Sequence, residues 1–459
     1  MNENSMKFIT INNLTFGYDT KKPLLNQLNL TIPTKSFSLL IGPTGCGKST
    51  LMKILAQLYP KYGGQIINGQ VDLAGHRQAM MFQNAGQQFT MATPREEIIF
   101  ALENLQIGPE EYQVRLKEAV AFSQIERLLD QKISTMSGGE KQRVALAVLV
   151  AMDVDLLILD EPFASCDPET RKFLIAKLAE LRNHGKTIII SDHVLSDYQE
   201  ICDQIFAFKQ ERVVRLNDDE MEQLFATAEQ TPDLHFSLPD KQASVFTLKQ
   251  TQIKQNRLLL NQEQLDIVKG KPTLITGANG IGKSSFFQGL TQLITYEGSI
   301  KYEGREIRKI PARKYLTHVG QIFQSASDQF LTVTVADELQ LSQQHNPHLR
   351  YSEDQVAELL KMLDLYDRQD QVVYSLSGGQ KKKLQILLML LSSQEVLLID
   401  EPLSGLDHES VHQVIELMQR CQSELKQTML IISHQIAELG QWCDYHLVFE
   451  NQHLSYVER

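Results

Sequence analysis

The chain has 459 residues, of which 42% are hydrophobic and 22% charged, and its formal net charge is −11. That length exceeds one ordinary domain and suggests two or three. The acidic balance argues against a nucleic-acid binder, whose phosphate-facing surface needs an excess of Lys and Arg. The five cysteines, Cys46, Cys166, Cys202, Cys421 and Cys443, form no CxxC pair. An odd, scattered set does not read as a disulfide framework, so a cytosolic setting is expected, with Cys46 and Cys166 as small fillers. Residues 1–10 lack the apolar core of a signal peptide. The most apolar runs, 145–159 and 384–391, are shorter than the ~20 uncharged residues that cross a bilayer or are broken by Asp153 and Asp155.

In chain order, residues 37–41 are rich in Leu and Ile and predict a buried strand. The loop GPTGCGKS at 42–49 follows, and then a helical pattern over 50–58. Strand, loop and helix in that order fit G-x-x-x-x-G-K-[ST]. Its glycines turn consecutive N–H groups inward around phosphate oxygens, and the helix N-terminus adds partial positive charge. Gly42, Gly45 and Gly47 would shape the loop. Lys48 would reach the β- and γ-phosphates, and Ser49, with Thr50 beside it, would offer a hydroxyl to Mg²⁺. Further on stand FQNAGQQF at 82–89, MSGGEKQR at 136–143, LLILDEP at 156–162 and ISDH at 190–193. Asp160 ends an apolar strand, which places a carboxylate beside the metal. Glu161 can orient or deprotonate an attacking water, and His193 ends a further Ile-rich strand. A hairpin is expected near 205–216. An acidic stretch at 217–223 and then Pro232 and Pro239 place a boundary near residue 235.

The second half repeats the first. It carries GANGIGKS at 277–284, FQSASDQF at 323–330, LSGGQKKK at 376–383, VLLIDEP at 396–402 and ISH at 432–434. The offsets are 235 (283 − 48), 240 (400 − 160) and 241 (434 − 193), so one domain has been duplicated, as 1–235 and 236–459. A strand at 273–276 and a helix at 285–293 would flank the second loop. Gly277, Gly280, Gly282, Lys283, Ser284 and Ser285 would take the roles of their counterparts, as would Asp400, Glu401 and His434. A chance glycine turn or a solvated charge pair does not explain two complete sets in register.

Together these motifs resemble a pair of ABC ATPase domains, over essentially the whole chain. The resemblance implies an α/β fold: two tandem P-loop NTPase domains, each a mixed or parallel sheet with flanking helices and a helical subdomain. It also implies binding and hydrolysis of ATP with Mg²⁺. Ser137, Gly138 and Gly139, and Ser377, Gly378 and Gly379, would be the signature motifs. In the family each ATP lies between one domain's phosphate loop and the other's signature. Lys48, Glu161 and His193 would then meet residues 377–380, and Lys283, Glu401 and His434 would meet 137–140. Asp167 and Asp407 would lie in the loop that couples the sites. Gln83 and Gln324 match the glutamine loop, which touches Mg²⁺ and the transmembrane partner. The implied metal sets are Ser49, Gln83 and Asp160, and Ser284, Gln324 and Asp400. Tyr18, two residues after Phe16, matches the aromatic that stacks on adenine, whereas the stretch near Gln252 and Ile253 has none. Glu140 stands where glutamine is usual, and Lys383 where arginine is usual. The sites are therefore expected to be unequal, with weaker adenine binding at the second.

Within FQNAGQQF and FQSASDQF, the pairs Gln88-Phe89 and Gln329-Phe330 resemble a short segment of energy-coupling factor (ECF) ATPases. In that family it packs against the integral membrane transmembrane (T) component, so these four residues would touch the partner. The resemblance implies import of a vitamin, a vitamin precursor or a transition-metal ion captured by a substrate-binding membrane (S) component. The chain would sit peripherally on the cytoplasmic face of the cell membrane. Two other readings stay open. Fused ATPases of sugar importers usually have a degraded second phosphate loop, whereas Lys283 and Ser284 are intact. Ribosome-binding translation factors of the ABC class carry a long charged helical insert, where this chain has a short, acidic, proline-containing link over 217–244. The solute cannot be read from the chain, and no further domain is expected after the last strand near Arg459.

Overall fold

The computed structural model describes residues 7–458 except 20–22, 44, 84, 164–165, 210–211, 229–233, 241, 256, 345–350 and 393. Thr44, Asn84 and Pro232, quoted above, thus lie outside the described residues. The chain divides into two compact units, Met1–Gln230 and Thr231–Arg459.

The first unit opens with β1 (Phe8–Gly17), β2 (Leu25–Pro33), β3 (Phe37–Ile41), α1 (Lys48–Leu55), β4 (Gln65–Asp72) and β5 (Gln78–Met81). Three helices follow, α2 (Pro94–Asn104), α3 (Pro109–Ser123) and α4 (Gly138–Met152). The unit closes with β6 (Leu156–Asp160), α5 (Pro168–Asn183), β7 (Thr187–Ser191), β8 (Gln204–Lys209), β9 (Arg212–Arg215) and α6 (Asp218–Ala228). One sheet runs β5-β6-β7-β3-β8-β9, parallel except for the expected β8–β9 hairpin. A smaller antiparallel sheet runs β2-β1-β4. Every residue of β6 and β7 is buried, as befits central parallel strands covered on both faces. In contrast, β1 mixes buried and exposed positions along its length. Ile98, Leu102, Leu116, Ala119, Val144 and Val148 join α2, α3 and α4 around a core of their own, the helical subdomain.

The second unit repeats the plan through β10 (Ser244–Lys254), β11 (Leu258–Val268), β12 (Pro272–Thr276), α7 (Lys283–Leu290), β13 (Glu297–Tyr302), β14 (Arg305–Glu306), α8 (Ala312–Tyr315) and β15 (Val319–Ile322). It continues with α9 (Val335–Gln344), α10 (Glu353–Met362), α11 (Gly378–Leu391), β16 (Val396–Asp400), α12 (His408–Leu425) and β17 (Thr428–Ile432). The last elements are α13 (Ile436–Gly440), β18 (Tyr445–Glu450) and β19 (His453–Tyr456). The sheets run β15-β16-β17-β12-β18-β19 and β11-β10-β13-β14.

Two expectations change. The helices after the glycine loops start at Lys48 and Lys283 rather than at 50 and 285, so each loop lysine and serine belongs to the first helical turn. The acidic stretch at 217–223 is not an open link but the start of α6. Met221, Leu224 and Phe225, at helical spacing, pack on the first unit's core, and Phe225 is only 3% exposed. The apolar stripe was hidden by the acidic residues between its members. Across the undescribed 229–233, Phe236 is buried in the second unit, its ring 4.8 Å from that of His446.

Candidate functional site: two nucleotide-binding constellations

In each unit the central strand of the parallel sheet runs straight into the glycine loop. Gly42, at φ 150°, and Gly277, at φ 154°, stand where the chain leaves β3 and β12. A Cβ on Gly42 would meet Phe208 Cβ at 2.7 Å, and one on Gly277 would meet the Phe449 carbonyl oxygen at 2.6 Å. Only glycine fits, because the neighbouring strand passes too close. Gly45, Gly47, Gly280 and Gly282 also have positive φ. Lys48 and Lys283 are buried and bend back over their loops. Lys48 Nζ donates to the carbonyls of Gly42 (2.6 Å) and Pro43 (3.0 Å). Lys283 Nζ donates to those of Gly277 (2.6 Å) and Ala278 (3.0 Å). Each ammonium is thus held over the concave side of a loop whose N–H groups suit phosphate.

The neighbouring strands bring the carboxylates alongside. Ser49 hydrogen-bonds Asp160, and Ser284 Oγ donates to Asp400 Oδ2 at 2.7 Å. Burial pushes both aspartates up, and the serine bonds oppose it. These hard oxygen pairs suit Mg²⁺, which prefers a carboxylate, a hydroxyl and phosphate oxygens. Glu161 (φ 45°) and Glu401 (φ 48°) each sit in the left-handed region immediately after the strand. Such strain in a non-glycine residue is tolerated where the surroundings enforce it.

The two constellations differ in detail. In the first unit Gln83 Nε2 donates to Glu161 Oε2 at 2.7 Å, and His193 Nε2 lies 2.8 Å from Glu161 Oε1. In the second, His434 Nε2 lies 3.0 Å from Asn279 Oδ1 and 3.6 Å from Glu401 Oε1. Among the described residues no hydrogen bond joins the Gln324 side chain to Glu401. Burial, reinforced by Asp400, pushes the Glu401 carboxyl up to about 7. Tyr18 stands 58% exposed beside the first loop, its hydroxyl 3.1 Å from Thr50 Oγ1, with Phe16 and Tyr59 packed edge-on against its ring. The bulge residues Asn13 and Gln250, 237 apart, match in conformation and place Gln255 opposite Tyr18. No aromatic replaces it. Nearby, Arg257 Nη2 donates to the Gly280 carbonyl at 2.6 Å.

Ser137 and Ser377 are N-caps of α4 and α11, each closing a capping box with Glu140 or Gln380. Glutamate and glutamine serve that box equally, which accounts for Glu140 locally. Gly138, Gly139, Gly378 and Gly379 form the first turns, with Gly139 and Gly379 buried and Gly378 exposed. Asp167 and Asp407 are N-caps of α5 and α12. Cys166 donates to Gln142 Oε1, and burial pushes its thiol up to about 12, as suits a filler.

The structure corrects two readings. Phe330 is 6% exposed and belongs to the core, so its ring is not offered to a partner, whereas Phe89 is partly buried against two cores of the first unit. Gln88 and Gln329 are half-buried and face inward: Gln88 Oε1 accepts from the N–H of Phe82 (3.1 Å), and Gln329 Oε1 from that of Phe323 (3.3 Å). These side chains shape the loop from within. The exposed apolar groups beside it are Phe323, Leu331 and Val333. Sheet register sets Ser191 opposite Asp160 but Ile432 opposite Asp400, so ISDH and ISH do not align serine with serine. Ser191 Oγ donates to Asp160 Oδ1 (2.8 Å), a bond without a counterpart in the second unit.

Sequence reasoning also missed a support. Arg171, 6% exposed, pairs with Asp192 at 3.2 Å, donates to the carbonyls of Val194 and Ser196, and stacks on Tyr198. Tyr198 in turn donates to Asp192 at 2.8 Å, and together they fix the loop that carries His193. The matching positions are Val411, 240 further on like the N-caps Asp167 and Asp407, and Ser433 and Leu439, 241 further on. Their mismatch across an otherwise close repeat was the available signal.

Comparisons with known proteins agree with this architecture. The family model described as "ABC transporter" matches residues 25–164 and 260–404. The provisionally named HMP/thiamine import ATP-binding protein YkoD of Bacillus subtilis (strain 168) is 28% identical over 98% of this chain and 91% of its own length. A Methanosarcina mazei protein provisionally named an ABC transporter ATP-binding protein is 30% identical over 93% of this chain and 90% of its own. Among solved structures, a chain from the complex of archaeal ribosomal stalk protein aP1 and archaeal ribosome recycling factor aABCE1 has a TM-score of 0.65. It is 21% identical, covering 95% of this chain and 87% of that one. A chain from a model of ribosome-bound archaeal Pelota and ABCE1 reaches 0.73 at 20% identity, covering 97% and 78%. At such identity these two likenesses establish the fold alone.

Proposed function

Since this chain belongs to the ABC transporter family and carries its ATPase domain twice, we propose that it powers an ECF-type importer of a vitamin, a vitamin precursor or a metal ion. The chain is an ATPase. What it drives is the proposal, and the observation that carries it is the repeated segment after Gln83 and Gln324. In both units the second glutamine folds back onto the phenylalanine N–H that opens the segment, making a compact surface loop beside the glutamine that faces the nucleotide. In the second unit Leu331, 81% exposed, and Val333, 61% exposed, lie next to that loop and suit an apolar partner surface. The relative named for HMP/thiamine import supports the same class of cargo.

The working parts would be domains 1–235 and 236–459. Two nucleotides would each be held by one domain's loop and the other's signature, Lys48 with Ser377 and Lys283 with Ser137. The loop N–H groups and lysines would hold the phosphates. Glu161 and Glu401 would orient the attacking water, His193 and His434 would steady those carboxylates, and Tyr18 would carry adenine. Mg²⁺, held by Ser49, Asp160 and Gln83 or by Ser284, Asp400 and Gln324, would neutralise charge on the transferring phosphoryl group. Closure on ATP and reopening after phosphate loss would move the T component, and with it the S component that holds the solute. The motor would work from the cytoplasmic face of the cell membrane; no helix among the described residues is long and apolar enough to cross it.

The test is affinity purification of the tagged chain from detergent-solubilised native membranes, with identification of what comes with it. The proposal expects a multi-span T component and a small solute-binding membrane protein. Co-sedimentation with ribosomes, without membrane proteins, would contradict it.

A further inference from the structure

The repeat places Lys382 where the first unit has Gln142, and Gln385 where it has Ala145 (382 − 240 and 385 − 240). Both lie on the first turns of α11 and both are buried, Lys382 to 4% exposure. Lys382 Nζ donates to the carbonyl oxygens of Gln324 (2.9 Å) and Phe323 (3.3 Å). Gln385 Nε2 donates to the same Phe323 carbonyl (2.9 Å) and to Gln329 Oε1 (2.7 Å). The main chain of the second glutamine loop is therefore clamped to α11 by three donations. Among the described residues the first unit has no such clamp: Gln142 does not bond to Phe82 or Gln83, and Ala145 has no donor. There, Gln83 reaches Glu161.

A buried lysine is costly unless something nearby rewards it. Burial pushes its ammonium down to about 8, with Asp400 and Glu401 pulling the other way. A cation at this place is thus sustained by the loop carbonyls it holds and by the carboxylates behind them. We propose that Lys382 is a positioning residue that holds the second glutamine loop back from Glu401 and so makes the second site the slower one. It acts through Gln324 and touches no reacting atom. The first site, whose Gln83 is free to bond Glu161, sets the faster turnover. The proposal rests on the assignment of Glu161 and Glu401 to hydrolysis.

The experiment isolates the second site with Glu161→Gln and measures kcat and KM for ATP after adding Lys382→Gln, Lys382→Met or Lys382→Arg. Lys382→Gln installs the first unit's residue, and Lys382→Met removes the cation at similar length. Both are expected to raise kcat about threefold or more with KM little changed, whereas Lys382→Arg, which keeps charge and donors, stays at the parent rate. A kcat that is unchanged or falls in both Lys382→Gln and Lys382→Met overturns the proposal. A lysine serving only the fold would shift the melting temperature without raising kcat. The Glu161→Gln, Glu401→Gln pair is the blank: residual hydrolysis at the parent rate there would condemn the assignment of the glutamates instead.

Discussion

His193 Nε2 lies 2.8 Å from Glu161 Oε1, and the other oxygen of that carboxylate is held by Gln83 at 2.7 Å. The glutamate is gripped from both sides within one unit, by residues that end two different strands. Its counterpart, Glu401, is 3.6 Å from His434, which lies closer to Asn279. Losing the histidine should therefore hurt the first site more. With the other glutamate silenced by Glu→Gln, His193→Ala is expected to lower kcat about 100-fold, within the range for a positioned acid–base partner. His434→Ala is expected to cost less than about tenfold. Steady-state phosphate release measures both, and equal losses would contradict the asymmetry.

Adenine binding should be unequal as well. Tyr18 presents an exposed ring and Gln255 does not, so Lys283→Ala, which leaves the first site, is expected to retain tighter ATP binding than Lys48→Ala. Fluorescent-nucleotide titration of the two variants reads this directly, and matching dissociation constants would refute it.

Within the first site, the ring of Tyr18 should matter more than its hydroxyl, although the latter lies 3.1 Å from Thr50. In the Lys283→Ala background, Tyr18→Ala is expected to weaken ATP roughly tenfold, as for loss of one stacked base. Tyr18→Phe should stay within about threefold of the parent. Isothermal titration calorimetry distinguishes the two.

Arg171 is the buried cation opposite Asp192, and removing one member of such a pair leaves the other charge uncompensated. Arg171→Met is expected to destabilise the first unit by about 3 kcal/mol or more. It should also loosen the loop carrying His193. Thermal unfolding reads the first effect and kcat of the first site the second; a melting temperature within about 1 °C of the parent would count against the pair's role.

The start of β16 offers a pH test. Burial pushes the Glu395 carboxyl up, but hydrogen bonds from Tyr302 (2.8 Å) and His318 (3.2 Å) outweigh it and bring the group below its usual value. A lowered folded value adds stability above the unfolded value of about 4.3, and loses it as pH falls through the folded one. Glu395→Gln should therefore lower the melting temperature at pH 7, and the difference should shrink below about pH 4. A difference constant across that range would contradict the bonds.

What the sequence disclosed follows from the strength of its signals. The runs at 37–41 and 156–160 are uniformly apolar because both faces of those strands are covered, and the glycines of 42–47 are fixed by backbone conformation. These read directly. Phe225 and its neighbours were concealed because the acidic residues of α6 masked a three-residue stripe. Gln88, Phe89, Gln329 and Phe330 repeat for a reason, but the sequence could not tell an inward-facing brace from an outward-facing contact. The Arg171–Asp192–Tyr198 support spans 28 positions (198 − 171 + 1) and exists in one half only, so no local pattern announced it.

The proposed motor holds two ATP molecules per chain, each completed by a signature motif from an opposing domain. The most direct measurement is nucleotide stoichiometry of the Glu161→Gln, Glu401→Gln protein by equilibrium binding, with and without Ser137→Arg and Ser377→Arg. Two ATP per chain, with retention on slow chromatography falling when either signature is altered, is the predicted result. One ATP per chain, or two that are indifferent to both signature changes, would contradict it.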